Sequence, residues 1–556
     1  MCTFDRRTLG AAITSLAAAA VMPDRSSAET ETMLYVGHAA RLTARIPSGW
    51  SVDPAGEVDY LGGDGFVVSD HVAGSTLDEA AAELETSWRF DGPATVTPAT
   101  WSGAPARRLT GRSYGADAVA LVAPHPLPFE TLGGESYAFA ALTADPAHLD
   151  AIAATVDFAP ERVTPAVFLA SVLDMVEARA YWADSVDWEL TRRVALSSIE
   201  VFETLWEAQG QLLGILDALR GAGDNHSYLV LSDSPAPFAS EDGAGMLVGG
   251  RAVVAVFPDG PAARAGIVAG DTGEAAGGQP FAPVPVPQAI EPGGLWPLSV
   301  ELTLRRDGAI DAVVVTVEQG PYDTYLPPPG RRLPGGTGYV AVPHFFSFGR
   351  ETAFAVTAGR ILASVDEPPA RGWVVDLRLD RGGSYSPMVT GVGAILGNGA
   401  FVGWRSAGGR QWWVSYEDGR ITQDGREVSD YLGPDGPAAL HRPDPPVAVL
   451  VGPSTASSGE VTTLAFVGRP GARLFGERTA GRATSIVGYP LFDGSHLGLA
   501  VAAMTDRTGA THLEGIEPDE PVATDWAAFG TAYDPVIAAA VNWLAQQTSC
   551  RDAGGG

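Results

Sequence analysis

Residues 337–525 alternate short apolar runs with stretches of helical periodicity, and this alternation constrains the fold more than any other feature. VVDL at 374–377 and PVAVLV at 446–451 are such runs. RETAFAVTAGRILASV at 350–365 and SGEVTTLAFVG at 458–468 have the helical pattern between and after them. Continuous apolar strands separated by helices are typical of a mostly parallel sheet covered on both faces. We therefore expect an α/β core in this part of the chain.

The chain of 556 residues is too long for one ordinary core, so several domains are expected. We predict a multidomain α+β protein, and its segments follow from shifts in pattern. They are a signal peptide (1–28), a small N-terminal α+β domain without visible chemistry (29–160), a helical cap (161–235), a β-rich module (236–320), a linker (321–336), the α/β core (337–525), and a C-terminal helix with a tail (526–556).

Helix start signals locate the helices of the first half. Amphipathic patterns predict helices over 75–88 and 147–158. In the helical cap, Thr164 followed by a proline predicts an N-cap, and Asp187 is expected to cap the next helix.

The N-terminus has the pattern of an export signal. DRRTLG at 5–10 is a basic segment, AAITSLAAAAVM at 11–22 is a short apolar segment, and SSA at 26–28 is a small-residue cleavage site. The arginine pair resembles a twin-arginine signal, and an ordinary secretory signal stays open. Because the apolar run is too short for a stable membrane span, we expect an exported protein.

Charge and cysteine content exclude several functions. A net charge of −30 argues against nucleic acid as a partner. Two cysteines at opposite ends rule out a disulfide framework and a cysteine metal site, and we expect no metal and no cofactor. All 36 basic residues are arginine, which stays protonated and cannot act as a general base. A serine nucleophile would therefore need His, Asp or Glu beside it.

The stretch GPSTASSGE at 452–460 lies between a predicted strand and a predicted helix. Ser457 and Glu460 have the spacing of a capping box, which is one interpretation. In the other, Ser457 is a nucleophile, and the N-terminus of the helix stabilises an oxyanion. The segment alone leaves both open.

Residues 240–318 resemble a PDZ domain. RAVVAVFPDGPAARAGIVAGD at 251–271 carries the resemblance, and a hairpin over 299–317 with its turn at Asp307–Gly308 closes the module. The Pro/Gly-rich stretch at 277–294 is expected to be a flexible loop. The resemblance implies capture of the C-terminus of a polypeptide, and a role as hinge or lid stays open.

Three separated segments resemble the C-terminal-processing (tail-specific) and tricorn-type serine proteases. They are GWVVDLRLDRGG at 372–383, VAVLVGPSTASSGEVTTLAFVGRPGARLFGERTAG at 447–481, and FDGSHLGLAVAAMTDRTGATHLEGIEPDEPV at 492–522. The resemblance implies a ClpP/crotonase-like catalytic core and cleavage of polypeptides through an acyl-enzyme on Ser457.

The resemblance also implies the base. One branch of the family uses a lysine, and Arg482 stands in its place here. The other branch uses a histidine and a glutamate, which map to His226 in GDNHSYLV and Glu514 in LEGIEPD. Asn225 stands where the best-known tricorn-type site has a serine, so the link between histidine and glutamate can differ. His512 is the main rival base.

For the oxyanion hole the resemblance implies backbone N–H groups of Ser458 and of Gly382 or Gly383. Ser384 and His344 are expected to line the substrate pocket. Two other functions stay open. One is a ligand- or peptide-binding protein of the same fold without catalysis, and the other is a hydrolase of esters or small amides.

Overall fold

The structure is a computed structural model, and it forms two compact units. One unit comprises Asp5–Pro235 with Ile486–Ala502, and the other comprises Ala236–Ser485 with Ala503–Gly556. The structure describes residues 32–38, 41–47, 52–54, 58–61, 66–72, 76–87, 90–101, 103–113, 116–124, 137–142, 146–157, 163–197, 199–231, 241–289, 299–306, 311–347, 349–433 and 436–552. The predicted signal peptide and the predicted turn at Asp307–Gly308 lie outside these residues.

Strands and helices are numbered here along the chain. The strands are β1 Thr32–Gly37, β2 Leu42–Pro47, β3 Val52–Pro54, β4 Val58–Leu61, β5 Phe66–Val72, β6 Thr95–Trp101, β7 Ala104–Ser113, β8 Ala116–Pro124, β9 Tyr137–Leu142, β10 Tyr228–Val230, β11 Glu241–Gly243, β12 Met246–Gly250, β13 Ala252–Val256, β14 Thr272–Ala276, β15 Gln279–Pro280, β16 Val284–Ala289, β17 Ser299–Arg305, β18 Val313–Glu318, β19 Gly320–Tyr322, β20 Gly330–Leu333, β21 Thr337–Ala341, β22 Trp373–Asp376, β23 Gly399–Ser406, β24 Gln411–Glu417, β25 Arg420–Gln423, β26 Arg426–Asp430, β27 Val447–Val451, β28 Ala472–Gly476, β29 Thr484–Pro490, β30 His496–Thr505 and β31 Glu520–Pro521. The helices are α1 Leu77–Ser87, α2 Pro146–Ala153, α3 Pro165–Arg179, α4 Trp188–Ala195, α5 Leu205–Gly221, α6 Pro261–Arg264, α7 Glu351–Val365, α8 Tyr385–Leu396, α9 Ser458–Phe466 and α10 Pro535–Asp552.

The N-terminal part of the first unit is an antiparallel sheet with two helices. Its strand order is β3-β4-β5-β9-β8-β7-β6. Helix α1 packs on β7 and β8 through Leu84 and Leu109, which are fully buried. Helix α2 contributes Leu149 to a second cluster that contains Trp101. The helix predicted over 75–88 is confirmed with slightly shorter bounds. The helix predicted over 147–158 is confirmed only in its first part, since it begins at Pro146 and ends at Ala153.

Helices α3, α4 and α5 form the other part of the first unit. The side chain of Thr164 accepts a hydrogen bond from the N–H of Val167, and that of Asp187 accepts one from the N–H of Leu190. Both predicted N-caps are therefore confirmed. The helices pack on one apolar cluster, and strand β10 pairs with the start of β30.

The β-rich module of the second unit is an antiparallel sheet. Its order is β16-β12-β13-β14-β17-β18, and the short helix α6 packs on it through the fully buried Ala262. The prediction of a loop over 277–294 is wrong for 284–289, which form β16 and pair with β12. Proline has no N–H to donate to a neighbouring strand, so it is tolerated mainly in edge strands. The strand VPVPQA lies at the edge of the sheet and, among the described residues, pairs only with β12.

The sheet of the α/β core has the order β20-β21-β22-β27-β28-β31. Strands β21, β22, β27, β28 and β31 run parallel, and β20 is antiparallel at the edge. The predicted mostly parallel sheet is thus confirmed. Helix α10 covers one face, where Val536 and Leu544 pack on Val374 and Leu450. No helix within the described ranges combines the length and apolar character needed to cross a membrane.

Strand β20 lies inside the segment predicted as a linker, so that prediction is wrong for Gly330–Leu333. The guanidinium of Arg331 lies 4.4 Å from the ring centre of Tyr339. Arg332 donates hydrogen bonds of 2.7 Å to the carbonyl of Val365 and 3.1 Å to that of Gly336. These contacts attach a Pro/Gly-flanked segment to the sheet edge, and local composition does not reveal them.

A buried ion network joins the sheet to the C-terminal helix. Arg378 is fully buried and lies directly after β22. It donates hydrogen bonds of 2.7 Å to Asp376 and 2.8 Å to Asp534, and Tyr339 donates one of 3.0 Å to Asp376. Asp534 also accepts the N–H of Val536 at 3.0 Å, so the same carboxylate caps α10. The network therefore fixes the end of β22, from which the chain continues into the glycine turn described below.

Replacing Asp534 with alanine is expected to cost about 3–5 kcal/mol of unfolding free energy, since it leaves a buried guanidinium without one of its two carboxylates. Chemical unfolding of the full chain measures this loss. The matched control is Glu517→Gln, whose carboxylate is 70% exposed and 3.3 Å from Arg478. A surface pair of this kind contributes about 0–1 kcal/mol. Equal losses in both variants would contradict the proposed importance of the network.

Candidate active site

Ser457 lies where the buried strand β27 leads into α9, and its backbone is strained. Its φ is 53° and its ψ is −116°. An ordinary N-cap residue lies in the β region instead. A residue other than glycine held at such angles costs about 1–3 kcal/mol and persists only where the surroundings impose it. Ser457 is also partly exposed. Such a strained serine at the head of a helix has the geometry of a nucleophile elbow.

The turn before Ser457 is tied to the end of β22. Thr455 is fully buried, and its hydroxyl donates a hydrogen bond of 2.9 Å to the carbonyl of Leu377. The N–H of Ala456 donates one of 3.0 Å to the carbonyl of Asp380. These contacts hold both sides of the turn and help to impose the backbone angles of Ser457.

Glu460 ties the head of α9 to the segment that follows β28. Its buried carboxylate accepts the N–H of Ser457 at 3.1 Å, the hydroxyl of Thr479 at 2.6 Å and the N–H of Gly481 at 2.9 Å. Burial raises the pKa of Glu460, and these hydrogen bonds oppose the rise. The predicted contact of Glu460 with Ser457 is therefore present. It holds the backbone of Ser457, and so the capping interpretation and the nucleophile interpretation are compatible.

The glycine turn after β22 lies directly against Ser457. A Cβ built on Gly382 would lie 2.9 Å from the Cβ of Ser457, and one built on Gly383 would lie 1.8 Å from the carbonyl oxygen of Phe345. Both glycines have positive φ, 108° and 112°. The hydroxyl of Ser458 donates a hydrogen bond of 2.5 Å to the carbonyl of Gly383. Side chains at these two positions would thus prevent the close approach.

Two backbone N–H groups beside Ser457 are available for an oxyanion. Among the described residues, no acceptor is bonded to the N–H of Gly383 or of Ser458. The N–H of Ser458 is one of the unsatisfied groups at a helix N-terminus. Gly382, the third predicted candidate, instead donates its N–H to Asp380 at 3.1 Å. This geometry favours Gly383 and Ser458, and the oxyanion hole itself stays a prediction.

Asp380 is a residue of the site that the sequence analysis missed. It is fully buried behind the glycine turn, and burial raises its pKa well above the ordinary value. Its Oδ2 atom has no hydrogen-bond partner among the described residues. A carboxylate immediately before a glycine turn was a visible signal, but sequence alone predicts a solvated aspartate there.

The predicted catalytic residues fall in both units. His226 belongs to the first unit, where its N–H donates 2.9 Å to the carboxylate of Asp224 in the loop before β10. Ser457 and Glu514 belong to the second unit, and Glu514 is exposed. The catalytic grouping of these three residues stays a prediction. Arg482 is also exposed.

His512, the rival base, has a carboxylate partner. Its Nε2 lies 2.9 Å from Oδ2 of Asp506. Asp506 accepts further hydrogen bonds from the N–H and hydroxyl of Thr508, so it is held in a tight turn. Within the part of the chain that the structure describes, His512 makes no polar contact with Ser457.

The two residues predicted for the substrate pocket differ in exposure. His344 is only 3% exposed, packs against the rings of Phe257 and Phe346, and has its pKa lowered to about 3 by burial. Ser384 is partly exposed, and its N–H donates 2.9 Å to the carbonyl of Phe345. Their role in binding substrate stays a prediction.

The described residues hold no cluster of three or more His, Cys, Asp or Glu side chains arranged to bind a metal. Ser457 offers a hydroxyl, and the neighbouring N–H groups can stabilise an anionic oxygen.

Comparison with known proteins relates this region to peptidases. Residues 336–522 match the model of Peptidase family S41. The chain is 30% identical over 194 residues to the nisin-resistance protein of Lactococcus lactis subsp. lactis, covering 34% of this chain and 58% of that protein. It is 27% identical over 347 residues to carboxyl-terminal-processing peptidase 2, chloroplastic, of Arabidopsis thaliana, covering 59% of each. A solved lipoprotein from Streptococcus agalactiae is similar with a TM-score of 0.44 and 17% identity, covering 69% of this chain and 96% of that one. The chain spans less than two thirds of the length of both curated relatives.

The buried carboxyl of Asp380 leads to a pH prediction. An unfolded aspartate releases its proton above about pH 4, whereas the raised pKa means that folded Asp380 releases its proton only at a higher pH. The folded state therefore binds more protons, and the wild type should lose up to about 1.4 kcal/mol of stability per pH unit above pH 4 until Asp380 ionises. Asp380→Asn removes this loss, so its stability relative to wild type should rise between pH 5 and pH 8.

Urea unfolding of the two proteins across that pH range measures the difference. The control is Asp217→Asn, which removes a carboxylate that is 69% exposed and hence solvated in both states. If the unfolding free energies of Asp380→Asn and wild type change in parallel with pH, Asp380 is ionised in the folded protein and the prediction is wrong.

Proposed function

With residues 336–522 identified as a domain of peptidase family S41, we propose that the protein is a serine peptidase that cleaves polypeptides through an acyl-enzyme on Ser457. The family predicted from the sequence motifs is confirmed for these residues. The observation that carries the activity is the strained backbone of Ser457 at the head of α9, beside two N–H groups without an acceptor among the described residues. A residue that only capped a helix would not require that strain.

The chemistry follows from this arrangement. The hydroxyl of Ser457 attacks the peptide carbonyl while a base takes its proton. The N–H groups of Gly383 and Ser458 then stabilise the oxyanion of the tetrahedral intermediate. The base returns its proton to the leaving amine, and water releases the acyl group by the same steps in reverse.

The proposed base is His226, with Glu514 orienting its ring and stabilising its charged form. Two facts of the sequence support a histidine. The chain has no lysine, and Arg482 at the alternative position stays protonated. His512 already has Asp506 as a carboxylate partner, so it is the alternative that mutagenesis must exclude.

The proposal also covers how the protein binds its polypeptide substrate and whether it is exported. We propose that the module of residues 236–320 binds the C-terminus of a polypeptide by adding it as a strand, which the PDZ resemblance favours. The N-terminal pattern of paired arginines, apolar segment and small residues supports export of the protein.

Proteolysis of an unstructured protein tests the activity. Ser457→Ala and His226→Ala should each lower kcat by at least about a thousandfold, since each removes a member of the proton-transfer chain. Ser454→Ala is the matched serine control, three residues before the nucleophile, and His512→Ala is the histidine control. Both controls should keep most of the activity. Equal loss in His512→Ala and full activity in His226→Ala would assign the base to His512 instead.

A fluorophosphonate probe separates the remaining functions. The wild type should be labelled on Ser457, and Ser457→Ala should not be labelled. Absence of both labelling and cleavage would identify a binding protein. Labelling with turnover of esters but not of peptides would identify an ester hydrolase. Cleavage by Ser457→Ala at the wild-type rate would remove the proposed nucleophile altogether.

A further inference from the structure

The buried carboxyl of Asp380 lies between the two segments that carry the proposed oxyanion donors. On one side it accepts the N–H of Gly382 at 3.1 Å through Oδ1. On the other, its backbone carbonyl accepts the N–H of Ala456 at 3.0 Å. A Cβ built on Gly459 would lie 2.9 Å from Cγ of Asp380, so α9 packs directly against this side chain. One residue thus touches both the glycine turn and the head of the helix.

The orientation of the Gly383 N–H depends on these contacts. The peptide group between Gly382 and Gly383 is planar and trans, so its N–H points opposite to its carbonyl. The carbonyl of Gly382 accepts the N–H of Phe345 at 2.9 Å, and the Gly383 N–H therefore points away from Phe345. The preceding N–H, that of Gly382, is held by Asp380. Because the carbonyl and the N–H of Gly382 are both hydrogen-bonded, rotation of the peptide between Gly382 and Gly383 is restricted.

Glycines make such restriction necessary. Gly382 and Gly383 both lie at positive φ, and glycine can leave that conformation for many others at small cost. The turn contributes a donor only while the peptide faces Ser457. A misplaced donor contributes little, because oxyanion stabilisation requires N–H groups at hydrogen-bond distance from the developing charge.

We propose that Asp380 is a positioning residue, whose Oδ1 holds the preceding Arg381–Gly382 peptide and so fixes the glycine turn in the conformation that directs the Gly383 N–H at the oxyanion. The inference rests on the proposed peptidase function of Ser457. Asp380 does not touch the reacting atoms, and it acts through the glycine turn.

The chemical state of Asp380 fits this role. Its Oδ2 is buried without a partner among the described residues, and burial raises its pKa well above the ordinary value, which favours the neutral form of the side chain. A neutral acid supplies the acceptor for Gly382 without placing a negative charge behind the oxyanion. Asparagine has the same shape and keeps a carbonyl oxygen, and leucine has the same branched arrangement of heavy atoms, with larger methyl groups and without any acceptor.

The test compares Asp380→Asn with Asp380→Leu in peptide cleavage by the full chain. Asp380→Leu should lower kcat by about a hundred- to a thousandfold with little change in KM, because the lost donor acts in the transition state. Asp380→Asn should keep kcat within about threefold of wild type. A peptide aldehyde, which forms a tetrahedral adduct, should bind the leucine variant more weakly by a factor similar to its loss in kcat. A purely structural role would change KM and kcat together and would not be rescued by asparagine.

The thermal unfolding of each Asp380 variant is measured together with its activity, to show whether the variant is folded. If Asp380→Leu does not fold, Asp380→Ser replaces it, since serine is too short to reach the N–H of Gly382. Failure of both to fold would overturn the inference, because Asp380 would then be needed for the fold itself. Wild-type kcat in a folded Asp380→Leu, or equal losses in the leucine and asparagine variants, would also overturn it while leaving the peptidase intact. A wild type without cleavage or labelling would overturn the proposed function and this inference with it.

Discussion

The strained backbone of Ser457 is the constraint on which the rest of the site depends. Its angles persist only because the turn is held from three directions. The hydroxyl of Thr455 bonds to Leu377 just after β22, Asp380 lies beneath the head of α9, and Glu460 ties the turn to the segment after β28. Each of these groups is buried, so its hydrogen bonds do not compete with water. The strain at one residue is thus balanced by hydrogen bonds on several sides of the turn.

The parallel sheet makes this arrangement possible. Strands β22 and β27 are neighbours and run in the same direction, so the glycine turn after one and the turn that carries Ser457 after the other meet at one edge of the sheet. Arg378 fixes the end of β22 by its buried pairing with Asp376 and Asp534. The C-terminal helix therefore contributes indirectly to the position of the glycine turn, although it lies far from Ser457 in sequence.

Two buried carboxyl groups near Ser457, those of Glu460 and Asp380, differ in the number of hydrogen bonds that they receive. Glu460 receives hydrogen bonds on both of its oxygens, from Ser457, Thr479 and Gly481. Asp380 receives one on its side chain and has an oxygen without a partner among the described residues. A carboxylate with several donors can remain charged when buried, whereas one with a single donor favours its neutral form. The two side chains can thus hold adjacent parts of the turn without placing two charges behind it.

Much of this protein followed from local pattern. Apolar runs between helical stretches predicted the parallel sheet, because strands buried on both faces must be apolar throughout. Thr164 and Asp187 were recognised as caps because an N-cap interaction spans only three residues. Ser457 was singled out because its place between a buried strand and a helix is visible in the sequence. The complete absence of lysine removed one type of base without any structure.

Tertiary structure alone decided the features that depend on residues distant in sequence. Strand β20 formed within a Pro/Gly-rich segment because Arg331 and Arg332 found partners on the core. The donation of the Gly382 N–H to Asp380, and the burial of His344, likewise depend on packing that no local pattern encodes. The sequence determined which groups can act and which elements carry them, because propensity, capping and charge are properties of neighbouring residues. Only the folded chain decided which backbone N–H groups of the described residues lack a hydrogen-bond acceptor, because that outcome depends on every contact around them.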